Sequence, residues 1–198
     1  MDAAYGTWAF VISLAAVVNG LGIVRMVGGF SDYLRKRTSV TVTPYWVYTV
    51  MAMFQLLAHT LLWWSILGLR NADGLNFLSY LYLLLGPTLL FLATNMLSPD
   101  VSQDTIDLRR DYYEVRRVFY GILAAFWAWA VFIWPVFGYP FAPTVPVLLV
   151  WFVLAVAAWL FDQPRVQAVL AVAHLAVFAG FVARYAMNLG EVGRGMIQ

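Results

Sequence analysis

Residues 98–121, SPDVSQDTIDLRRDYYEVRRVFYG, divide the chain in two. They hold Asp100, Asp104, Asp107, Arg109, Arg110, Asp111, Glu114, Arg116 and Arg117, nine of the 12 basic and 10 acidic residues of the protein. The sequence on either side is almost continuously apolar. Of 198 residues 63% are hydrophobic and 11% charged, whereas a soluble domain is about a quarter charged. Too little polar surface is present to face water on all sides, and the chain reads as an all-α integral membrane protein. The charged stretch is then a connector between two hydrophobic halves.

A membrane-crossing helix needs about 20 mostly apolar residues. Six segments qualify, giving a single membrane domain over 1–198 with spans at about 5–27, 44–69, 75–97, 118–137, 145–161 and 165–187, and the connector at 98–117. The first span continues as helix through Gly28 and Gly29 to Arg35-Lys36-Arg37. Thr43-Pro44 offers a cap and a first-turn proline for the second. Residues 71–74, Asn-Ala-Asp-Gly, form a turn. Gly86-Pro87 predicts a kink in the third span. Asp104 caps a connector helix that runs straight into the fourth span, which Trp134-Pro135 and the proline-rich stretch 138–146 terminate. The fifth span is short, and Asp162-Gln163-Pro164 opens the sixth.

Loop charge orients this six-helix bundle. The connectors after spans one, three and five carry Arg35, Lys36, Arg37, Arg109, Arg110, Arg116, Arg117 and Arg165, against Arg70, Arg184 and Arg194 on the other side. The positive-inside rule places those connectors in the cytoplasm and both termini outside. Eleven arginines against one lysine suggest a GC-rich bacterial genome on composition alone, and the expected location is a bacterial inner membrane. Three spans in each half raise an inverted repeat, but the halves show no convincing common register. A net charge of +2, with the basic residues confined to loops, gives no groove for nucleic acid. With no cysteine, a disulfide frame, a thiolate metal site and a cysteine nucleophile are excluded.

The connector pairs its own charges at helical spacing: Asp107 with Arg110, Arg110 with Glu114, Glu114 with Arg117. Beyond that self-pairing, Arg109, Arg110, Arg116 and Arg117 are candidates for contact with anionic lipid headgroups or a partner, with Tyr112 and Tyr113 at the interface. A scaffold or assembly subunit, or a homo-oligomer, would use this surface.

The interior candidates are few. Gln55 and His59 are four apart and share one face of span two, and Trp63 continues it. Gln167, His174, Tyr185 and Asn188 fall on roughly one face of span six. By helical rise His59 lies about 22 Å from Pro44 and His174 about 14 Å from Arg165, so the two histidines can face each other. Polar groups at that depth point into the bundle. Three readings are open: neutral hydrogen-bonded packing residues; a lining for a small solute, ion or proton, with histidine as titrating group; or axial ligation of one b-type haem by His59 and His174. In span one, Asn19, Gly20 and Gly22 with Gly28 and Gly29 present a small surface for close helix packing, and Arg25 can snorkel to the inner interface.

Phe30-Ser31-Asp32 resembles the Phe-Ser-Asp signature of a family of six-span potassium channels. There the triplet opens the first span and a hydrophobic pore helix follows. Here it closes the first span and Tyr33-Leu34-Arg35-Lys36-Arg37 follows, so no channel function is carried over. Hydrolase, zinc-protease and nucleotide-loop motifs are absent. No Asp or Glu falls within a predicted span, and the one lysine, Lys36, lies outside them, so retinal attachment within the bundle is excluded. The best functional expectation is a non-enzymatic protein binding or passing a small solute, ion or proton, with Gln55, His59 and His174 foremost and Gln167 and Tyr185 behind them.

Overall fold

The computed structural model describes residues 3–36, 41–69, 75–98 and 105–187. The expected turn at 71–74, the cap at Asp104, and Arg37, Arg70, Asp100, Asn188 and Arg194 lie outside them. The described residues form helices α1 (Ala3–Lys36), α2 (Trp46–Ile66), α3 (Phe77–Met96), α4 (Leu108–Val136), α5 (Val145–Leu160) and α6 (Pro164–Phe181), with a 3-10 turn at Leu67–Leu69 and a π-helical segment at Val182–Ala186. Five of these, α1, α2, α3, α4 and α6 with its π segment, are long and apolar enough to span a membrane. At 16 residues α5 is shorter, about 24 Å by helical rise against a hydrocarbon core of about 30 Å.

Local chemistry explains most boundaries. Asn76 caps α3 through a reciprocal box, accepting from the backbone of Leu78 and Ser79 while the Ser79 hydroxyl accepts from the Asn76 N–H. Asp107 caps α4, its carboxylate accepting from the N–H groups of Arg109 and Arg110. That role takes Asp107 out of the expected pairing with Arg110, which instead meets Glu114 at 2.8 Å. Thr43-Pro44 does not cap α2: the helix begins at Trp46, because Thr43 belongs to a strand. α3 runs unbroken through Pro87, and α4 ends one residue after Pro135.

That strand departs from a purely helical fold. β1 (Thr41–Thr43) pairs in parallel with β2 (Thr105–Asp107), in register Thr41↔Thr105, Val42↔Ile106 and Thr43↔Asp107. The residues entering α2 are thereby tied to those entering α4. Arg116, in the third turn of α4, also reaches the last carbonyls of α5. The segments entering α2, α4 and α6 thus gather at one end of the bundle.

The helices pack in the order α1, α3, α4, α5, α6 and back to α1 through α2, with α2 also touching α3 and α4. Two devices set the α3–α4 seam. The Trp129 indole donates to the Tyr82 carbonyl at 2.6 Å, and the Tyr82 hydroxyl donates to the Trp129 carbonyl at 2.8 Å. The same indole lies over Gly86, where any Cβ would collide with it. Between α2, α4, α5 and α6 aromatic rings pack together: Trp127 stacks on Trp151 at 4.4 Å, and Phe54 touches both at 6.4 Å.

Candidate functional site

The polar residues of α2 do form a buried site, but with partners from α1 and α3 rather than α6. His59 is fully buried. The Asn19 amide nitrogen donates to the His59 carbonyl at 3.1 Å, which leaves Asn19 Oδ1 as the acceptor 2.8 Å from His59 Nδ1. Nδ1 therefore carries a proton, a tautomer assigned from the network. On the other side Nε2 lies 2.8 Å from Thr94 Oγ1. In the neutral ring Nε2 accepts the Thr94 proton. That hydroxyl has a second acceptor, the Leu90 carbonyl at 3.0 Å. Gln55 completes the cluster, its amide nitrogen donating to the Leu90 carbonyl at 2.9 Å and to Thr94 Oγ1 at 3.1 Å.

Gly22 makes room for this arrangement. It faces the His59 ring so closely that a Cβ would overlap it. Small residues at a helix seam let a polar side chain bridge two backbones, and a polar group buried in a bilayer needs such partners. Asn19 and Gly22, three apart on one face of α1, were the sequence signal for the site: an amide beside a gap. Thr94 gave none, since a lone threonine in an apolar helix ordinarily bonds back to its own i−4 carbonyl.

His174 lies elsewhere. Its Nδ1 donates to the Leu170 carbonyl of its own helix at 2.8 Å, and its buried Nε2 has no partner. Its ring packs edge-on against Phe54 at 5.1 Å and beside Tyr120 at 6.1 Å. Phe54 and Gln55 are adjacent on α2, yet one faces His174 and the other Thr94. The two histidines consequently belong to different clusters. Both nitrogens of His59 are engaged by Asn19 and Thr94, so in this arrangement the ring has none free for an axial bond to haem. Among the described residues no group of three or more His, Cys, Asp or Glu side chains gathers as a metal site.

Gln167 belongs to a third cluster, at the end where α4 and α6 begin. The Tyr112 hydroxyl donates to Gln167 Oε1 at 2.5 Å, and the Tyr120 hydroxyl lies 2.9 Å from that of Tyr112. Since the Tyr112 proton goes to Gln167, Tyr120 is the donor in the second bond. Gln167 Nε2 donates to the Ala158 carbonyl at 2.8 Å and also to that of Phe161. Arg116 shares this target: Nη1 donates to Trp159 O at 3.1 Å, Phe161 O at 3.0 Å and Ala158 O. The last carbonyls of a helix have no partners within it and carry the negative end of its dipole. A guanidinium there meets both needs.

Arg116 is accordingly buried, 3% exposed, and is withdrawn from the lipid- or partner-facing surface expected of it. Arg109, Arg110 and Arg117 remain exposed. Tyr185, the outermost candidate, is half-buried against Phe181 with Arg184 over its ring at 5.4 Å. No single polar stripe joins Gln55, His59, His174, Gln167 and Tyr185. Comparison of the chain with family models, curated proteins and solved structures found no match.

Proposed function

We propose that the chain is a six-span integral membrane protein with both termini outside. The segments entering α2, α4 and α6 face the cytoplasm, in a bacterial inner membrane. Its activity is the binding or passage of a small solute, ion or proton, and of these the geometry favours a proton handled at His59. The orientation is supported by the excess of arginine at the end where those segments gather.

One observation carries the choice of proton: the Thr94 hydroxyl has two acceptors, His59 Nε2 and the Leu90 carbonyl. With the ring neutral, Thr94 donates to Nε2. When Nε2 takes up a proton it donates to Oγ1, and the hydroxyl turns to Leu90. The cluster thus accommodates either protonation state by rotating one hydroxyl, with no heavy atom displaced. Among the described residues no carboxylate hydrogen-bonds to the ring, so a proton taken up at Nε2 has no counter-ion that would fix it there.

The test is proton uptake into liposomes containing the purified protein, followed with an entrapped pH-sensitive dye. His59→Gln should reduce uptake to the level of protein-free vesicles while the variant still folds. Uptake equal to wild type in a folded His59→Gln protein would refute the assignment.

A second reading, docking of a partner or of anionic headgroups at the connector, is favoured by the exposure of Arg109 and Arg117 on one ridge of α4 with Tyr113 between them. A pulldown of the partner that survives charge reversal at Arg109, Arg110 and Arg117 would remove these residues from it.

A further inference from the structure

A recess of about 70 Å³ lies between α2, α4, α5 and α6, at the end of the bundle away from the β1–β2 pair. Its walls include Ser65 of α2, Trp127, Ala130 and Trp134 of α4, Thr144 before α5 and Phe181 of α6. The walls are mostly apolar, and among the described residues no charged side chain lines them. Directly after Phe181 the sixth helix passes into its π segment, a local widening that recurs at functional sites.

Thr144 is 4% exposed, and its hydroxyl has lost its ordinary task. A threonine at the start of a helix accepts from the N–H of the second or third helical residue. Here the second residue is Pro146, which has no N–H. The third, Val147, gives its N–H to the Thr144 carbonyl at 3.0 Å. The Thr144 side chain therefore caps nothing, and among the described residues it has no other hydrogen-bond partner. Its oxygen is not among the sealed, unpartnered atoms of the bundle, so it opens to the recess that Thr144 lines. A buried hydroxyl ordinarily finds a partner, and this one is left for a molecule inside the recess. Ser65, half-buried on the α2 wall, offers a second hydroxyl.

We propose that this recess binds one small uncharged molecule of the class of short-chain alcohols, its oxygen on Thr144 and Ser65 and its carbons against the rings. A water in the liquid takes up about 30 Å³, so the recess has room for about two waters or one molecule of about four bonded heavy atoms. Each enclosed water needs two to four polar partners, and two hydroxyls in apolar walls do not supply them. A hydrocarbon would fill the walls but leave both hydroxyls unpartnered, and a charged molecule would meet no counter-charge. An alcohol satisfies the walls and the hydroxyls together. The recess does not include His59, so this site and the proton reading can fail separately.

The test is quenching of tryptophan emission by 2-bromoethanol, with the full chain in phosphatidylcholine nanodiscs. Trp127 and Trp134 line the recess, so a bromine held there quenches them. Quenching should contain a saturable part that 1-propanol, which carries no bromine, relieves. Bromoethane, which lacks the oxygen, should give only the unsaturable quenching of a molecule dissolved in lipid. Thr144→Val should weaken the saturable binding about fivefold, the ratio given by the ~1 kcal/mol of one hydrogen bond, and Thr144→Ser should keep most of it. Ala130→Leu, which fills the recess, should abolish it, while Ser13→Ala on α1 should leave it unchanged. Melting curves check that each variant is folded. The proposal is overturned if 2-bromoethanol quenches without saturation, if bromoethane saturates equally, or if folded Thr144→Val and Ala130→Leu both bind like wild type.

Discussion

His59 and His174 are both fully buried histidines in apolar helices, and they are built in opposite ways. His59 is held by side chains from two other helices, Asn19 of α1 and Thr94 of α3, and a glycine is set aside for its ring. The His174 ring bonds only to its own helix and rests among aromatic rings with Nε2 unpartnered, while its backbone carbonyl accepts from the Trp151 indole of α5. The first is a cross-helix junction that specifies how three helices meet. The second is a packing residue whose polar atom is a liability, since a buried acceptor without a donor is penalised. Burial and residue type do not distinguish the two. The origin of the hydrogen-bond partners does.

The third cluster sharpens the contrast, because there a full charge is buried. Arg116 Nη1 and Gln167 Nε2 donate to backbone carbonyls at the end of α5. Arg116→Ala should have the largest effect of any substitution considered. It removes several charge-assisted bonds and leaves the Trp159 carbonyl without its side-chain donor, a loss of about 3 kcal/mol, read as a lowered midpoint in detergent-based denaturant unfolding. Arg116→Lys should recover only part of it, since an ammonium cannot reproduce the planar fork.

Gly22→Val comes next. The new side chain must displace the His59 ring, and overpacking of this kind costs about 2 kcal/mol. Proton uptake should fall with it, because the ring loses its register with Thr94. If uptake and stability both survive Gly22→Val, the junction at His59 is not as tight as described.

The two histidines should then separate. His59→Leu removes the ring that bonds Asn19 Oδ1 and Thr94 Oγ1 and should destabilise by about 1 kcal/mol, in keeping with cross-helix hydrogen bonds in bilayers. His174→Leu should be neutral or slightly stabilising on the same thermal measurement, since it removes an unpaired acceptor. Equal losses at both positions would erase the distinction. The smallest effect belongs to Arg110→Gln, which should leave the melting temperature unchanged, because the Arg110–Glu114 pair is solvent-exposed and self-contained.

The helices were legible because their signal is length and apolar composition, which need no knowledge of packing. Asp107 shows where reading from sequence stops: as a charged residue three before Arg110 it suggested a salt bridge, and only the turn geometry of the chain makes it a cap. The β1–β2 pair was not legible, since three-residue strands such as Thr41–Thr43 have no periodicity to read. Gln55 and His59 were correctly read as sharing a buried face, because a four-residue spacing fixes a face. Pairing that face with His174 instead of Thr94 and Asn19 was an error of helix arrangement: depth is set by counting residues, but which helix lies opposite is set by tertiary packing. Arg116 was read as a surface residue beside Arg117. One residue is a 100° rotation, enough to place one in the core and the other outside.

The most direct test is ¹⁵N NMR of histidine-labelled protein in lipid bilayers, comparing wild type with Thr94→Val. The structure predicts that both imidazoles carry their proton on Nδ1, and that only one of the two Nε2 resonances is displaced by hydrogen bonding. Thr94→Val should return that resonance to the unbonded position and leave the other where it was. Two equivalent Nε2 signals, or a displaced signal that ignores Thr94→Val, would contradict the built junction at His59 and with it the proton assignment.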